Sequence, residues 1–547
     1  MDLSQTKLTK EEWNILEIPI IGREFEIIKM IHKSGKNIDT TIKNTKTLIN
    51  FIKIESNIEK FHIYLYVKYF KDILKKINKK NKYFEYNLKV EKKGKSFDLK
   101  KADQIRLNNF NKRIKEKKGE IFEYLLIDVL EKLFNSKDVS TYVYILNYLI
   151  HMKYTHMNVY VLNYVKNLIE YFKQNIKMIK YLKNYSNIMK YLKKYNSLKS
   201  IKLFSHQKRI ITTCTREGSK LVLYQAPTGT GKTLTPLALV KKKRIIFVCA
   251  AKHIGMQLAK CCISLQIPIA IAFGCKDASD IRLHYFAAKE KIRNRITGGI
   301  FRVDNSVGDL VEIIISDIQS YLPAMYYMCA FNKKEDLIWY WDEPTISLDK
   351  ESHSFHSILQ NNWNRNIIPN VILSSATLPK EEELTKFIMG YNNKFPNMRV
   401  YNIVSSDYEK TIPIINSDGY ALLPHNVFDS YDDIKSCVEH IENYKTLLRH
   451  FDINKIIEFV LYLCKKKLIK EVYNIENYFE NLDDLNTNNI KIYYLFVLKK
   501  LKKKYSDVYD HFNVNKEKIF KSCIKITTND AGTLTDGPTI FLANEFF

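Results

Sequence analysis

At 547 residues, 46% of them hydrophobic, the chain is too long for a single core and apolar enough for roughly three or four globular domains. Lys and Arg number 87 against 59 Asp and Glu, a formal net charge of +28, which points to a polyanionic partner such as nucleic acid. No apolar run approaches the ~20 residues of a membrane span, and Met1-Asp-Leu-Ser-Gln5 opens no signal-peptide h-region, so a membrane or secreted protein is not expected.

Residues 1–200 form a basic, mainly helical region. It holds 41 Lys and Arg against 21 Asp and Glu. The same lysine-rich bias, with abundant Asn, Ile and Tyr, also follows from an AT-rich genome, so charge alone does not decide its role. Tyr, Leu, Ile and Met recur at three- and four-residue spacing over 138–150 and 159–195, which predicts helices whose tyrosines are core rather than base-stacking platforms. Lys-Tyr-Leu-Lys occurs at 180–183 and again at 190–193 and suggests paired helices. Residues 91–101 read as an exposed connection.

At about 201 the texture changes to alternating strands and helices, over a domain expected to span 201–385. Apolar strands are expected at 221–224, 244–250, 267–274, 311–317, 337–341 and 370–374, with helices at 234–240 and 254–264. Continuous apolar strands of this kind describe a parallel sheet covered on both faces. Residues 386–530 are expected to become mainly helical, with a loop near 483–489. Residues 531–547 read as a turn and one apolar strand, the start of a further domain. The nine cysteines include no Cys-x-x-Cys pair and read as reduced core residues.

Four stretches carry chemistry. Ala226-Pro-Thr-Gly-Thr-Gly-Lys-Thr233 lies between a strand and a helix signal. Gly229 and Gly231 let successive N–H groups converge on phosphate oxygens, Lys232 reaches the β- and γ-phosphates, and Thr233 holds Mg²⁺. Asp342-Glu-Pro-Thr345 closes a later apolar strand of the same alternating domain. There Asp342 is placed to bind the metal and Glu343 to orient and deprotonate a water. Ser374-Ser-Ala-Thr377 ends the next strand, where small hydroxyls can hydrogen-bond the acidic loop and relay its state to a neighbouring domain, although an ordinary strand-to-helix cap has the same composition. Gln207 lies upstream of the strand that leads into the glycine loop, with an amide able to pair with an adenine edge.

In this order and spacing, Gln207, Ala226 to Thr233, Asp342 to Thr345 and Ser375 to Thr377 resemble the Q motif and motifs I, II and III of superfamily 2 (DEAD/DEAH-like) helicases. The first motif of that family is commonly AxxGxGKT, so Ala226 in place of glycine is expected. The resemblance covers about 201–380 and implies a RecA-like P-loop domain that uses ATP and Mg²⁺. Val248 to Ala259 looks like motif Ia, with Gln257 at its glutamine, and Ser316-Asp-Ile-Gln-Ser320 lies where motif Ib does. The resemblance therefore implies Lys252, Gln257 and Ser316 as contacts to the phosphates of an RNA or DNA strand. Thr345 departs from the usual Asp or His and blurs the subclass. The long helical segment and Gly532 to Leu542 are similar to helicases of large nucleocytoplasmic DNA viruses, which implies an intracellular location in cytoplasm, viral factory or virion.

One family feature is missing. Motif VI, QxxGRxxR, needs a glutamine, and none follows Gln360. The second RecA-like domain is thus expected to be truncated here or supplied by a separate chain. The expected function is an ATP-dependent helicase or translocase. The alternative is a nucleotide- and nucleic-acid-binding scaffold without turnover of its own. A P-loop kinase or transport ATPase is disfavoured by the adjacent acid pair, since a kinase needs no water-activating Glu343.

Overall fold

A computed structural model of the chain describes residues 5–42, 46–53, 58–80, 101–152, 154–195, 201–293, 300–345, 351–408, 411–416 and 418–514. The connection expected at 91–101, except Lys101, and the strand expected within 531–547 lie outside these residues. The chain divides into two compact units, Met1–Ile42 with Ile201–Glu409, and Lys43–Ser200 with Lys410–Phe547. The region expected as one piece over 1–200 is therefore split, because the segment up to Ile42 packs with the α/β unit.

The α/β unit begins with helices α1 (Lys10–Glu17) and α2 (Gly22–Ser34). A two-stranded antiparallel sheet pairs β1 (Thr41–Ile42) with β2 (Ile201–Lys202). Then follow α3 (Ser205–Cys214), β3 (Lys220–Gln225), α4 (Pro236–Leu239), β4 (Arg244–Cys249), α5 (Lys252–Ser264), β5 (Ile269–Ala272) and β6 (Arg282–Leu283). A hairpin of β7 (Lys291–Arg293) and β8 (Ile300–Val303) precedes β9 (Ile313–Asp317), α6 (Tyr321–Phe331) and β10 (Leu337–Asp342). The unit closes with α7 (Ser354–Arg365), β11 (Asn370–Ser375), α8 (Thr385–Lys394) and β12 (Arg399–Val404).

Eight of these strands form one sheet in the order β12-β3-β11-β10-β4-β9-β5-β6, parallel except for β6. The α/β class with a parallel sheet, flanked by helical residues, is the class expected. Successive residues of a strand face opposite sides, and both sides are buried. Ile245, Phe247 and Cys249 of β4 enter one core with Leu16, Ile28 and Leu258, while Ile246 and Val248 enter the other. That second layer is aromatic: Trp339 stacks on Tyr321 and Trp341, with ring centroids 4.1 and 5.0 Å apart.

Two elements differ from expectation. The helix after the glycine loop is short, Pro236–Leu239, because Pro236 has no N–H to return to Lys232 O; that carbonyl instead accepts from Thr235 N at 3.0 Å and Tyr340 OH at 2.8 Å. The edge strand β12 lies in the segment expected to be helical from 386. Asn402 interrupts its apolar signal, and Val404 is exposed, as an edge position allows.

The second unit is helical among its described residues, apart from isolated bridges. The helical run expected over 159–195 is three helices, Val159–Asn175, Met178–Lys183 and Tyr185–Tyr195, and the repeated Lys-Tyr-Leu-Lys falls on the last two. Tyr144, Tyr164, Tyr181 and Tyr185 are buried core residues. Asn486, expected in a loop, is the N-cap of Thr487–Leu501 and accepts from Asn489 N at 3.0 Å. No described helix is long and apolar enough to cross a membrane.

Candidate nucleotide-binding site

Parallel register puts Tyr224, Ser374, Asp342, Cys249 and Asp317 at one level of β3, β11, β10, β4 and β9. The loops beyond that level form the carboxyl edge, where open α/β sheets bind ligands. The phosphate loop leaves β3 and the acid pair ends β10. Between them runs β11, so Ser374 and Ser375 stand between the two motifs.

The loop is built by its own residues. Ala226 is fully buried and its N–H donates to Ser375 O at 3.2 Å, so the first loop position has room only for a small side chain. Pro227 accepts at its carbonyl from Thr230 Oγ1 at 2.7 Å, while Thr228 is exposed at the turn. Gly229 and Gly231 take φ of 82° and 79°, the left-handed region in which a Cβ is strained. At Gly231 a Cβ would also lie 2.8 Å from Gln207 Nε2. Gln207 itself is buried: its Oε1 accepts from Phe204 N at 3.0 Å and its Nε2 donates to Gly231 O at 3.4 Å. The amide expected at an adenine edge braces the phosphate loop in this state.

Thr233 Oγ1 donates to Asp342 Oδ2 at 3.0 Å, and Ser374 Oγ donates to Asp342 Oδ1 at 3.1 Å. Burial first, and the neighbouring Glu343 second, push the Asp342 carboxyl up to about 6, against those hydrogen bonds and the Lys232 charge. Thr233 and Asp342 thus bring two hard oxygen donors together at a buried carboxylate whose charge the protein only partly offsets. That donor set fits Mg²⁺.

Glu343 adopts φ of 53°, uncommon for a residue with a Cβ. Its N–H donates to Ser374 O at 2.7 Å, Ser375 Oγ donates to its Oε2 at 2.5 Å, and Lys232 Nζ lies 4.0 Å from its Oε1. Ser375 Oγ also accepts from Thr377 N at 3.2 Å. One hydroxyl therefore joins the acid loop to the segment Ala376–Thr377 that leaves β11.

One contributor escapes a reading of the sequence: Tyr340 is fully buried, its hydroxyl donating to Lys232 O at 2.8 Å and lying 3.2 Å from Ser374 Oγ. The signal for Tyr340 is its position two residues before Asp342, on the same strand face.

The expected strand contacts are placed differently. Gln257 is exposed on α5. Lys252 is 8% exposed, and its Nζ donates to Glu12 Oε2 at 2.8 Å, Lys7 O at 3.2 Å and Thr6 Oγ1 at 3.4 Å. Ser316 lies inside β9, fully buried, with its Oγ donating to Phe247 O at 3.4 Å, so its hydroxyl has no route to a strand on the surface. The signal for the segment over Lys252 is Thr9-x-x-Glu12, a capping box: Glu12 N donates to Thr9 Oγ1 at 3.2 Å and Thr9 N to Glu12 Oε2 at 2.7 Å.

No protein-family model matches the chain, and no curated protein matches it. Among solved structures it is similar to a DEAD box protein from the hyperthermophile Methanococcus jannaschii, at 17% identity and a TM-score of 0.25 over 39% of this chain and 53% of that one. It is also similar to the Pyrococcus furiosus Hef helicase domain, at 13% identity and a TM-score of 0.23 over 56% of this chain and 58% of that one. The chain thus spans little more than half the length of either.

Proposed function

We propose that the α/β unit is an ATP-binding and ATP-hydrolysing motor domain of a nucleic-acid helicase or translocase. The observation that supports this best is the convergence of Lys232, Thr233, Asp342, Glu343 and Ser375 at adjacent strand ends, with Thr233 on Asp342 at 3.0 Å and Ser375 on Glu343 at 2.5 Å. Thr233 and Asp342 would hold Mg²⁺, which when bound would supply charge stabilisation to the phosphates. The loop N–H groups of 229–233 and Lys232 would receive the β- and γ-phosphates. Glu343 would orient the attacking water and take its proton, and Ser375 would pass a change at Glu343 on to Ala376 and Thr377. Gln207 would sense the nucleotide through Gly231 or turn to the adenine. Gln257 stands exposed for backbone contact with RNA or DNA.

The test is steady-state phosphate release with and without single-stranded RNA or DNA, for the wild type, Lys232→Ala and Glu343→Gln. Stimulated turnover above both variants is expected; a wild type no faster than the variants would sink the enzyme reading and leave a nucleotide-binding scaffold.

A further inference from the structure

The first described residues run across the carboxyl ends of β4, β9 and β5, three neighbouring strands of the sheet. Gln5 Nε2 donates to Ala250 O at 2.9 Å, just beyond β4, and its Oε1 accepts from Ile318 N at 3.0 Å, just beyond β9. Thr6 and Lys7 lie against Gly274, beyond β5, so closely that a Cβ there would come within 2.7 Å of Lys7 N. Lys7 Nζ then meets Asp280 Oδ1 at 2.5 Å. The segment ends in α1, where Glu12 carries both the capping bond to Thr9 and the ion pair to Lys252.

The groups held this way are a lysine ammonium, a main-chain N–H and a glycine that lets another backbone approach. They are the groups that a phosphodiester chain uses when it is bound without regard to sequence. A carboxylate sits on the lysine where a phosphate would sit, and an extended backbone lies over the glycine. We infer that residues 5–12 occupy, as an intramolecular substitute, a nucleic-acid backbone site at the ends of β4, β9 and β5, and that a strand binds there by displacing them. This rests on the nucleic-acid reading above and adds to it: the site is closed in this state, and the strap that closes it belongs to the same chain. Apparent affinity is then lowered by the fraction of molecules in which the strap is seated.

The test uses the full chain and a fluorescent single-stranded 20-mer, as RNA and as DNA. Gln5→Ala with Glu12→Gln loosens the strap while glutamine keeps the capping bond to Thr9. This variant should tighten binding roughly fivefold or more. Lys252→Ala removes the ion pair to Glu12 as well as a strand contact, so it should cost less in the wild type than in the loosened chain, where it should remove most of the gain and lower the salt slope by about 0.7. In the wild type, saturating oligonucleotide should speed amide exchange over residues 8–17. Unchanged binding in loosened chains that melt like the wild type overturns the inference, as does an equal cost of Lys252→Ala in both backgrounds, or exchange that does not respond. If no chain binds oligonucleotide, the inference falls together with the nucleic-acid reading, while phosphate release and its loss in Lys232→Ala report separately on the ATPase.

Discussion

At the ends of β3, β11 and β10, the open half of the edge, the acidic side chains take hydrogen bonds from the hydroxyls of Thr233, Ser374 and Ser375 in the same motifs. At the ends of β4, β9 and β5, farther along the same edge, the polar groups bond to the first residues of the chain. The two halves share a scaffold and a register; they differ in where the compensating partners come from. Asp342 takes hydrogen bonds from Thr233 and Ser374 and still has its carboxyl pushed up to about 6, so it keeps unmet capacity for a cation. Lys252 has a full set of partners in Glu12, Lys7 and Thr6. A half-satisfied cluster is poised for ligand, and a satisfied one must first lose what it holds.

The largest expected effect breaks the open half alone. Glu343→Gln should cut turnover by about 10²-fold or more while ATP still binds, and Lys232→Ala should weaken both; phosphate release beside nucleotide fluorescence separates them. Equal loss of ATP binding in the two variants would mean that Glu343 acts on the fold rather than on water. Next, Trp339→Ala empties the aromatic layer below both halves. It should cost about 3–5 kcal/mol, read as a fall of roughly 6–20 °C in Tm, with the remaining folded protein active. Gly231→Ala is a sharper perturbation of the open half: left-handed strain and the contact with Gln207 should weaken ATP binding roughly tenfold by calorimetry. Adding Gln207→Ala should recover only part of it, and complete recovery would show that crowding, not φ, makes glycine necessary there.

The smallest effect concerns the support of the loop. His206, buried beside Tyr224 with its Nδ1 2.7 Å from the hydroxyl, has its ring pushed down to about 4, mainly by burial. The folded ring therefore stays neutral while the unfolded chain takes up a proton below about 6.5, so stability is complete above that pH and is lost as pH falls toward 4. Between pH 7.5 and 4.5 the wild type should lose about 2 kcal/mol more than His206→Gln in denaturant titrations. Parallel losses would show that His206 is not the titrating group.

Much of the open half is legible in the amino-acid sequence. Lys232, Thr233, Asp342, Glu343 and Ser375 each end or follow an apolar strand, and a parallel sheet with strand-end loops brings such residues together whatever the sequence between them. Ala226 looks irregular against the general loop pattern, and its burial against Ser375 gives the reason for a small side chain. Tyr340 is hidden because an aromatic within an apolar strand looks like any core residue until its hydroxyl is seen on Lys232 O. Gln207 is legible as a residue near the loop but not as its brace, since the chain between them carries no record of a side-chain contact.

The other half is not legible, because its defining contacts link Gln5, Lys7 and Glu12 to residues some 240 to 313 positions away. Local periodicity and spacing determine where a strand ends and which residues stand at its end. They fix the phosphate loop, the acid pair and the class of the sheet, since those depend on backbone conformation and hydrophobic alternation within a few residues. Whether a cation such as Lys252 meets solvent, a strand or the chain's own carboxylate depends on which distant segment packs over it. Only the tertiary structure decides that, through the burial of Leu16 and Ile20 that seats the N-terminal segment on the sheet.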